Sequence, residues 1–260
     1  MDYLYDGTFE GILTCIYYHY KKEKASGIYN IASYQQSILN TSEIVETEED
    51  KARTVSDAIN KKISREAYVD VYYCYLSNAE NKENIILEFL LFAFKYGKNT
   101  MNFYTHEKVL PINEASLKVS KEVHRFLGIL RFSDVEGILF ARFSPDNDIL
   151  ILLIEHFADR YKFEKFIILD EKRNKAVLYA NNSWEIKENI QISDLEYSQD
   201  EKKIQSLWKQ YFTDLAIKER TNINLQFQFV PARYRKNMAE FSSRDGPRPV
   251  KKWLFFPNNY

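Results

Sequence analysis

The chain is poor in the residues that make specialised chemistry easy to recognise. Among 260 residues there are only two cysteines, four histidines, seven glycines and six prolines. Two thiols, Cys15 and Cys74, stand far apart in apolar helical contexts, which predicts free thiols in a reducing compartment rather than a disulfide framework. They also fall short of the four thiolates that usually hold an iron–sulfur cluster. The few glycines include no phosphate-cradling loop, and there is no G-x-S-x-G elbow. No apolar run is long enough to cross a bilayer, which takes about 20 residues; the longest, Ile85 to Phe94, contains Glu88. Residues 1–20 carry Asp2, Asp6 and Glu10 and read unlike a secretory leader. The expectation is a cytoplasmic protein. A net charge of −1 gives no global attraction to DNA or to membranes, so any basic site must be local.

Apolar residues at 45% and charged residues at 28% are ordinary for a folded chain of this length, which has enough residues for a sizeable core. Tyrosine (19) and phenylalanine (18) are abundant. We read that abundance as the base composition of an AT-rich genome, and it carries no functional weight.

Periodicity and caps place the elements. Strands are expected at 2–5, 28–32 and 43–47. Thr8 caps a helix carrying Phe9, Ile12, Leu13, Ile16 and Tyr20 at helical spacing. Thr47, with Asp50 as box partner, is the expected cap of a second helix, and Ser64 of a third. A fourth, 84–96, ends at Gly97. A fifth starts near Pro111 or Asn113 and runs to Phe126. The stretch 122–161 is the most informative. It predicts a hairpin of strands 128–132 and 137–143 across a turn at 133–136, then a buried helix opened by Ser144 and Pro145. A second hairpin, 165–170 with 176–181, and a possible strand at 184–187 follow. Ser198 caps a helix to Ala216 with Ile204, Leu207, Trp208, Tyr211, Phe212 and Leu215 on one face. Residues 222–230 read as irregular or partly helical, and Pro231 opens a short basic helix.

The expected fold is α+β: a helix-rich N-terminal half, central antiparallel hairpins around a buried helix, and C-terminal helices. One compact unit is expected over 3–241, with an α-rich part 3–83 and a core 84–241, followed by a basic, aromatic tail at 242–260.

Candidate chemistry is sparse. Asp146, Asp148 and His156 lie close in sequence, but Asp148 and His156 are two helical turns apart, about 11 Å, too far to share an ion. Both acids suit a helix N-terminus. His156 and Arg160 share a helix face, and His124-Arg125 closes the preceding helix. No metal site is predicted. The densest signal is basic: between Pro231 and Lys252 stand seven positive residues, including Arg233, Arg235 and Lys236, against Glu240 and Asp245. Tyr234, Phe241 and Trp253 are interleaved, as where phosphate contacts accompany base stacking. Arg131 and Arg142, on the hairpin, would extend such a patch.

Five segments, LYDGTFEGILTCIY (4–17), VETEEDKARTV (45–55), HRFLGILRF (124–132), FSPDNDILILLIEHFADRY (143–161) and LWKQYFTDLAIKERTNINLQFQFVPARYRKNM (207–238), together resemble a bacterial family of probable DNA metabolism proteins. The resemblance covers roughly residues 3–241. It implies a domain of unknown function working in DNA repair or modification beside a radical-SAM protein, and found elsewhere fused to a uracil-DNA-glycosylase-like domain. The chain departs from that family twice. Asn147 stands where a P-D-H-D motif has its histidine, and Ala232-Arg233-Tyr234-Arg235-Lys236 replaces R-R-Y-W-K.

The functional expectation is DNA or phosphate binding. Arg233, Arg235 and Lys236 would meet phosphate and Tyr234 would stack. His124, Arg125, Arg131, His156 and Arg160 would line an anionic pocket. Two alternatives stand beside it. One is a metal-dependent nuclease or hydrolase using Asp146, Asp148, His124 and His156. The other is an adaptor that docks the radical-SAM partner through an apolar patch without touching DNA. The residues imply no cofactor and do not decide whether the protein is an enzyme.

Overall fold

A computed structural model describes residues 1–36, 41–190, 194–195, 197–215, 222–241 and 250–251. The α+β expectation holds, with the chain grouping into two compact units, Met1–Lys121 and Glu122–Tyr260. Where the sequence reading draws one unit with an internal change at residue 83/84, the division falls at 121/122, inside a helix.

The first unit starts with β1 (Asp2–Tyr5), α1 (Phe9–Lys21), β2 (Gly27–Asn30) and β3 (Ser42–Ile44). These strands form a parallel sheet in the order β2-β1-β3, with β1 in the middle. The β1–α1–β2 segment is a βαβ unit, which the sequence reading did not anticipate. Thr8 caps α1, its hydroxyl accepting from the Gly11 amide at 3.0 Å. Asp6 ties this corner together by accepting from the Thr8 amide (2.9 Å), the Thr8 hydroxyl (2.6 Å) and the Thr47 hydroxyl (2.9 Å). Thr47 is therefore not the cap of α2 (Glu49–Lys62); Glu48 holds that position without a side-chain bond. The long-range partner Asp6 outcompetes the local capping box.

Three helices complete the unit: α3 (Arg65–Leu76, capped by Ser64), α4 (Lys82–Tyr96) and the first half of α5 (Leu110–Ile129). Gly97, at φ +59°, ends α4 as expected. The core gathers Tyr3, Ile12, Ile16, Ile28, Ile59, Val71, Phe89 and Leu90. Burial pushes the thiols of Cys15 and Cys74 up to about 12. No helix among the described residues is long and apolar enough to cross a membrane.

In the second unit α5 continues to Ile129 and is followed by β4 (Ser133–Val135) and β5 (Ile138–Phe143). The expected strand at 128–132 is thus a helix end and a connection. The hairpin turns on Glu136 (φ +54°) and Gly137 (φ +82°), with Val135 opposite Ile138. Two consecutive positive φ values mark the tight loop whose twist suits paired strands, and Gly137 carries the second without strain. The turn therefore falls at the end of the expected 133–136 segment and reaches one residue past it, and Ser133–Val135 are strand.

The helix expected from Ser144 starts at Leu150: α6 spans Leu150–Arg160, and residues 144–149 form a loop. It then crosses to β6 (Phe166–Asp170), which runs parallel to β5. β7 (Lys175–Ala180) and β8 (Ser183–Glu188) follow antiparallel, giving a mixed sheet β4-β5-β6-β7-β8. The helix between the hairpins is therefore a parallel crossover, which needs a connection of this length. Every residue of central strand β6 is buried. Phe140, Ile167, Leu169 and Ala176 pack with Val135, Ile190 and Tyr197. Elsewhere in this unit Phe126 lies edge-on to Phe143 at 5.0 Å, and Phe166 stacks on Tyr179 at 4.6 Å.

A two-residue ladder joins β9 (Asp194–Leu195) to β10 (Val250–Lys251). α7 (Gln199–Asp214) is capped by Ser198 as expected, with its predicted end at Ala216 outside the described residues. α8 (Ile223–Phe229), capped by Asn222, is helical where irregularity was equally open, and α9 (Ala232–Arg235) is the short basic helix. Apart from residues 250–251, the tail 242–260 lies outside the described residues.

Candidate functional site

Glu122, on α5, is only 2% exposed. A buried carboxylate needs hydrogen bonds to replace its lost water. The loop 144–149 supplies them. The amide of Asp146 donates to one oxygen at 2.7 Å, and the amide and side chain of Asn147 donate to the other at 2.9 and 2.6 Å. Tyr234, on α9, donates its hydroxyl to Glu122 at 2.5 Å. Glu122 thus takes the two loop amides that Ser144 is expected to cap, and α6 begins later, at Leu150. Asn147 contributes both its amide and its side-chain N–H to this cluster.

A second buried acid, Asp170, ends β6 at 0% exposure. It accepts from the amides of Lys172 and Arg173 at 2.9 and 3.3 Å and from the Arg173 guanidinium at 2.9 Å. Burial raises its pKa, and the Arg173 bond only partly offsets that. Arg173 also donates to the carbonyls of Pro145 (3.4 Å) and Asp146 (2.7 Å), closing the loop from its other side.

Two more acids, Asp146 and Glu171, gather the cations. Arg233 Nε lies 2.8 Å and Lys172 Nζ 3.8 Å from Asp146. Glu171 takes Lys236 Nζ at 3.1 Å, Arg142 at 3.8 Å, Asn237 Nδ2 at 3.1 Å and the Ser144 hydroxyl at 3.0 Å. Burial alone would raise the Glu171 pKa, but the bonds from Asn237, Lys236 and Ser144 win and lower it. A carboxyl whose pKa is lowered on folding adds stability above its unfolded value, about 4.3, and loses it as pH falls through the folded value. Glu171→Gln should therefore flatten the acid limb. Urea midpoints of wild type and variant should keep a constant gap above about pH 5 and converge below it. A gap that persists unchanged at the acid end would show that Glu171 is not held ionised by these partners.

The layering of charge is the main feature. Side-chain exposure is 55% for Arg233, 50% for Lys172 and 45% for Lys236, against 32% for Asp146 and 27% for Glu171. The acids lie beneath and the cations lie outside.

The predicted site residues divide accordingly. Arg233 and Lys236 reach this corner. Tyr234 also does, but it is 4% exposed with its ring 4.8 Å from Phe126, so it locks the loop and has no face for a base. Its pKa is raised by burial and by Glu122. Arg235 does not point to solvent: it lies over Phe227 (4.1 Å) and Phe241 (4.4 Å) and donates to the Val230 carbonyl. The residues expected to line an anionic pocket, His124, Arg125, Arg131, His156 and Arg160, have separate surroundings. Arg131 pairs with Glu240 at 3.3 Å and faces Trp208, His156 lies edge-on to Phe157, and Arg160 lies over Tyr161. His124 is exposed and Arg125 half-buried on α5. Arg244, Arg248, Lys252 and Trp253 lie outside the described residues.

For the hydrolase alternative, Asp148 pairs with Lys175 at 3.2 Å, and Asp146 is taken by Arg233. Among the described residues no group of three or more His, Cys, Asp or Glu is placed to hold a metal ion.

Sequence reasoning missed Glu122, Asp170, Glu171, Lys172 and Arg173. For Asp170 a signal was present: an acid closing the apolar run Phe166–Leu169 sits where a strand is buried on both faces. Glu122 carried no comparable mark.

Residues 80–240 match a protein family described as "Domain of unknown function (DUF4130)". No curated protein matches the chain.

Proposed function

Given that the chain belongs to the DUF4130 family, we propose that it acts in DNA metabolism by binding DNA, or another phosphate-bearing ligand, at the corner of Lys172, Arg233 and Lys236. The resemblance to probable DNA metabolism proteins supports the DNA context and a radical-SAM protein as partner. The observation that carries the binding reading is the outer layer of half-exposed cations over less exposed carboxylates. A guanidinium has five N–H donors and an ammonium three, so one internal carboxylate leaves donors free for a phosphate. The inner acids hold the cations in place and keep the site nearly neutral when empty. Such a site favours modest, salt-sensitive binding.

The test is fluorescence anisotropy with labelled duplex and single-stranded DNA over a range of salt. Wild type should bind with a negative slope of log affinity against log salt. Arg233→Gln/Lys236→Gln should reduce that slope by about 2, one for each phosphate that the variant no longer neutralises. Equal slopes, or no binding at low salt, would remove these residues from the interface. Arg235→Gln is not the same test, because Arg235 packs internally.

A further inference from the structure

Helix α7 leaves a row of large apolar side chains in solvent while two of its polar residues, Glu201 and Gln205, are turned inward. Glu201, 6% exposed, accepts from the Asp134 amide at 3.1 Å and from Gln205, and Gln205 also donates to the Ser133 hydroxyl at 3.1 Å. Four apolar residues of α7 and its C-cap Leu215 face outward: Ile204 is 59% exposed, Leu207 65%, Tyr211 56%, Leu215 61% and Trp208 39%. A contiguous exposed apolar stripe of this size marks an interaction surface.

The order of residues identifies the occupant. Ile204, Trp208, Tyr211 and Leu215 are spaced four, three and four apart, so the stripe reads aliphatic–aromatic–aromatic–aliphatic in both directions. Trp208 and Tyr211 already stack on each other at 5.7 Å. A surface with this pattern is complementary to itself when reversed, as an isologous two-fold contact requires. Charge agrees. Lys203 and Asp214 are eleven residues apart, about three turns, and flank the stripe on one side. In an antiparallel pair Lys203 of each copy falls opposite Asp214 of the other, twice over. Lys203 also reaches Asp200 at 3.1 Å, but both are largely exposed, and such a pair competes weakly. We infer that α7 is a homodimer interface, packing antiparallel against α7 of a second copy around Trp208 and Tyr211.

Sedimentation velocity of the full chain over a concentration series tests this. Wild type should run as a dimer that dissociates on dilution. Leu207→Glu, at a position 65% exposed, should be monomeric at all concentrations with an unchanged thermal midpoint. Lys203→Glu should weaken the dimer about tenfold, and Lys203→Glu/Asp214→Lys should restore it to within about threefold. A wild-type monomer up to about 100 µM, a dimer indifferent to Leu207→Glu, or a double charge swap that fails to restore association would each overturn the inference. None of these variants touches Arg233 or Lys236, so DNA binding and dimerisation fail separately.

Discussion

Glu122→Ala should destabilise the second unit by about 3–5 kcal/mol, the sum expected when several buried donors lose one acceptor. The substitution leaves the amides of Asp146 and Asn147, the Asn147 side chain and the Tyr234 hydroxyl without their shared partner. A buried donor that loses its acceptor carries a desolvation penalty of about 1–3 kcal/mol, and water cannot enter freely where Glu122 itself is nearly sealed, although the Tyr234 hydroxyl keeps Asp146 Oδ2 at 3.2 Å. Tyr234→Phe removes a single donor and should cost only about 1 kcal/mol. Urea unfolding measures both. Hydrogen exchange at the Asp146 and Asn147 amides gives the local readout, with protection lost in Glu122→Ala and largely kept in Tyr234→Phe. Similar costs for the two variants, or protected loop amides without the carboxylate, would show that something else holds the loop.

Gly11→Ala is the second large effect, and its sign runs against helix propensity. Alanine in a helix interior is ordinarily better than glycine by about 1 kcal/mol. Here a Cβ would meet Asp6 Oδ1 at 2.6 Å, Thr47 Oγ1 at 2.9 Å and Thr8 Oγ1 at 3.0 Å. Those three atoms cannot withdraw independently, because Asp6 holds both hydroxyls and Thr8 is the cap of α1. Relief of the clash breaks the cap, a loss of about 1–2 kcal/mol, together with the Asp6–Thr47 link. We expect a net loss of about 1–3 kcal/mol and a lower thermal midpoint. Gly128→Ala is the control: it lies in α5 with nothing within 4 Å of the added carbon, and should be neutral or slightly stabilising. If both glycines respond alike, the Asp6 corner is softer than its bonds imply.

Much of the fold was legible because its cues are local. Thr8, Ser64 and Ser198 cap the helices they precede, Gly97 ends α4, and most of the strands fall within a few residues of the alternating segments. At two of the failures a distant group takes what a good local signal would have bonded. Ser144-Pro145 has the chemistry of a helix start, but the next two amides bond to Glu122 and the helix begins only at Leu150. Thr47 has the chemistry of a cap, but Asp6 claims its hydroxyl. The candidate site followed the same rule. Arg233 and Lys236 stood out as a basic run, whereas their acids, Asp146 and Glu171, come from segments far back in the chain that only the tertiary fold brings near. The same run wrongly enlisted Arg235 and Tyr234, since charge and aromaticity in sequence say nothing about which side chains the packing turns inward.

The order β2-β1-β3 has a consequence for how the protein is made. Strand β1 has left the ribosome well before either neighbour exists, and both pair with it in parallel, so no tight turn can hand it a partner at once. Until residue 44 has emerged, the hydrogen-bonding edges of this fully buried strand stay open to competing strands. The nascent chain is therefore open to mispairing at this sheet until both neighbours have emerged, and α1, which follows β1 directly, is the first element available to cover it.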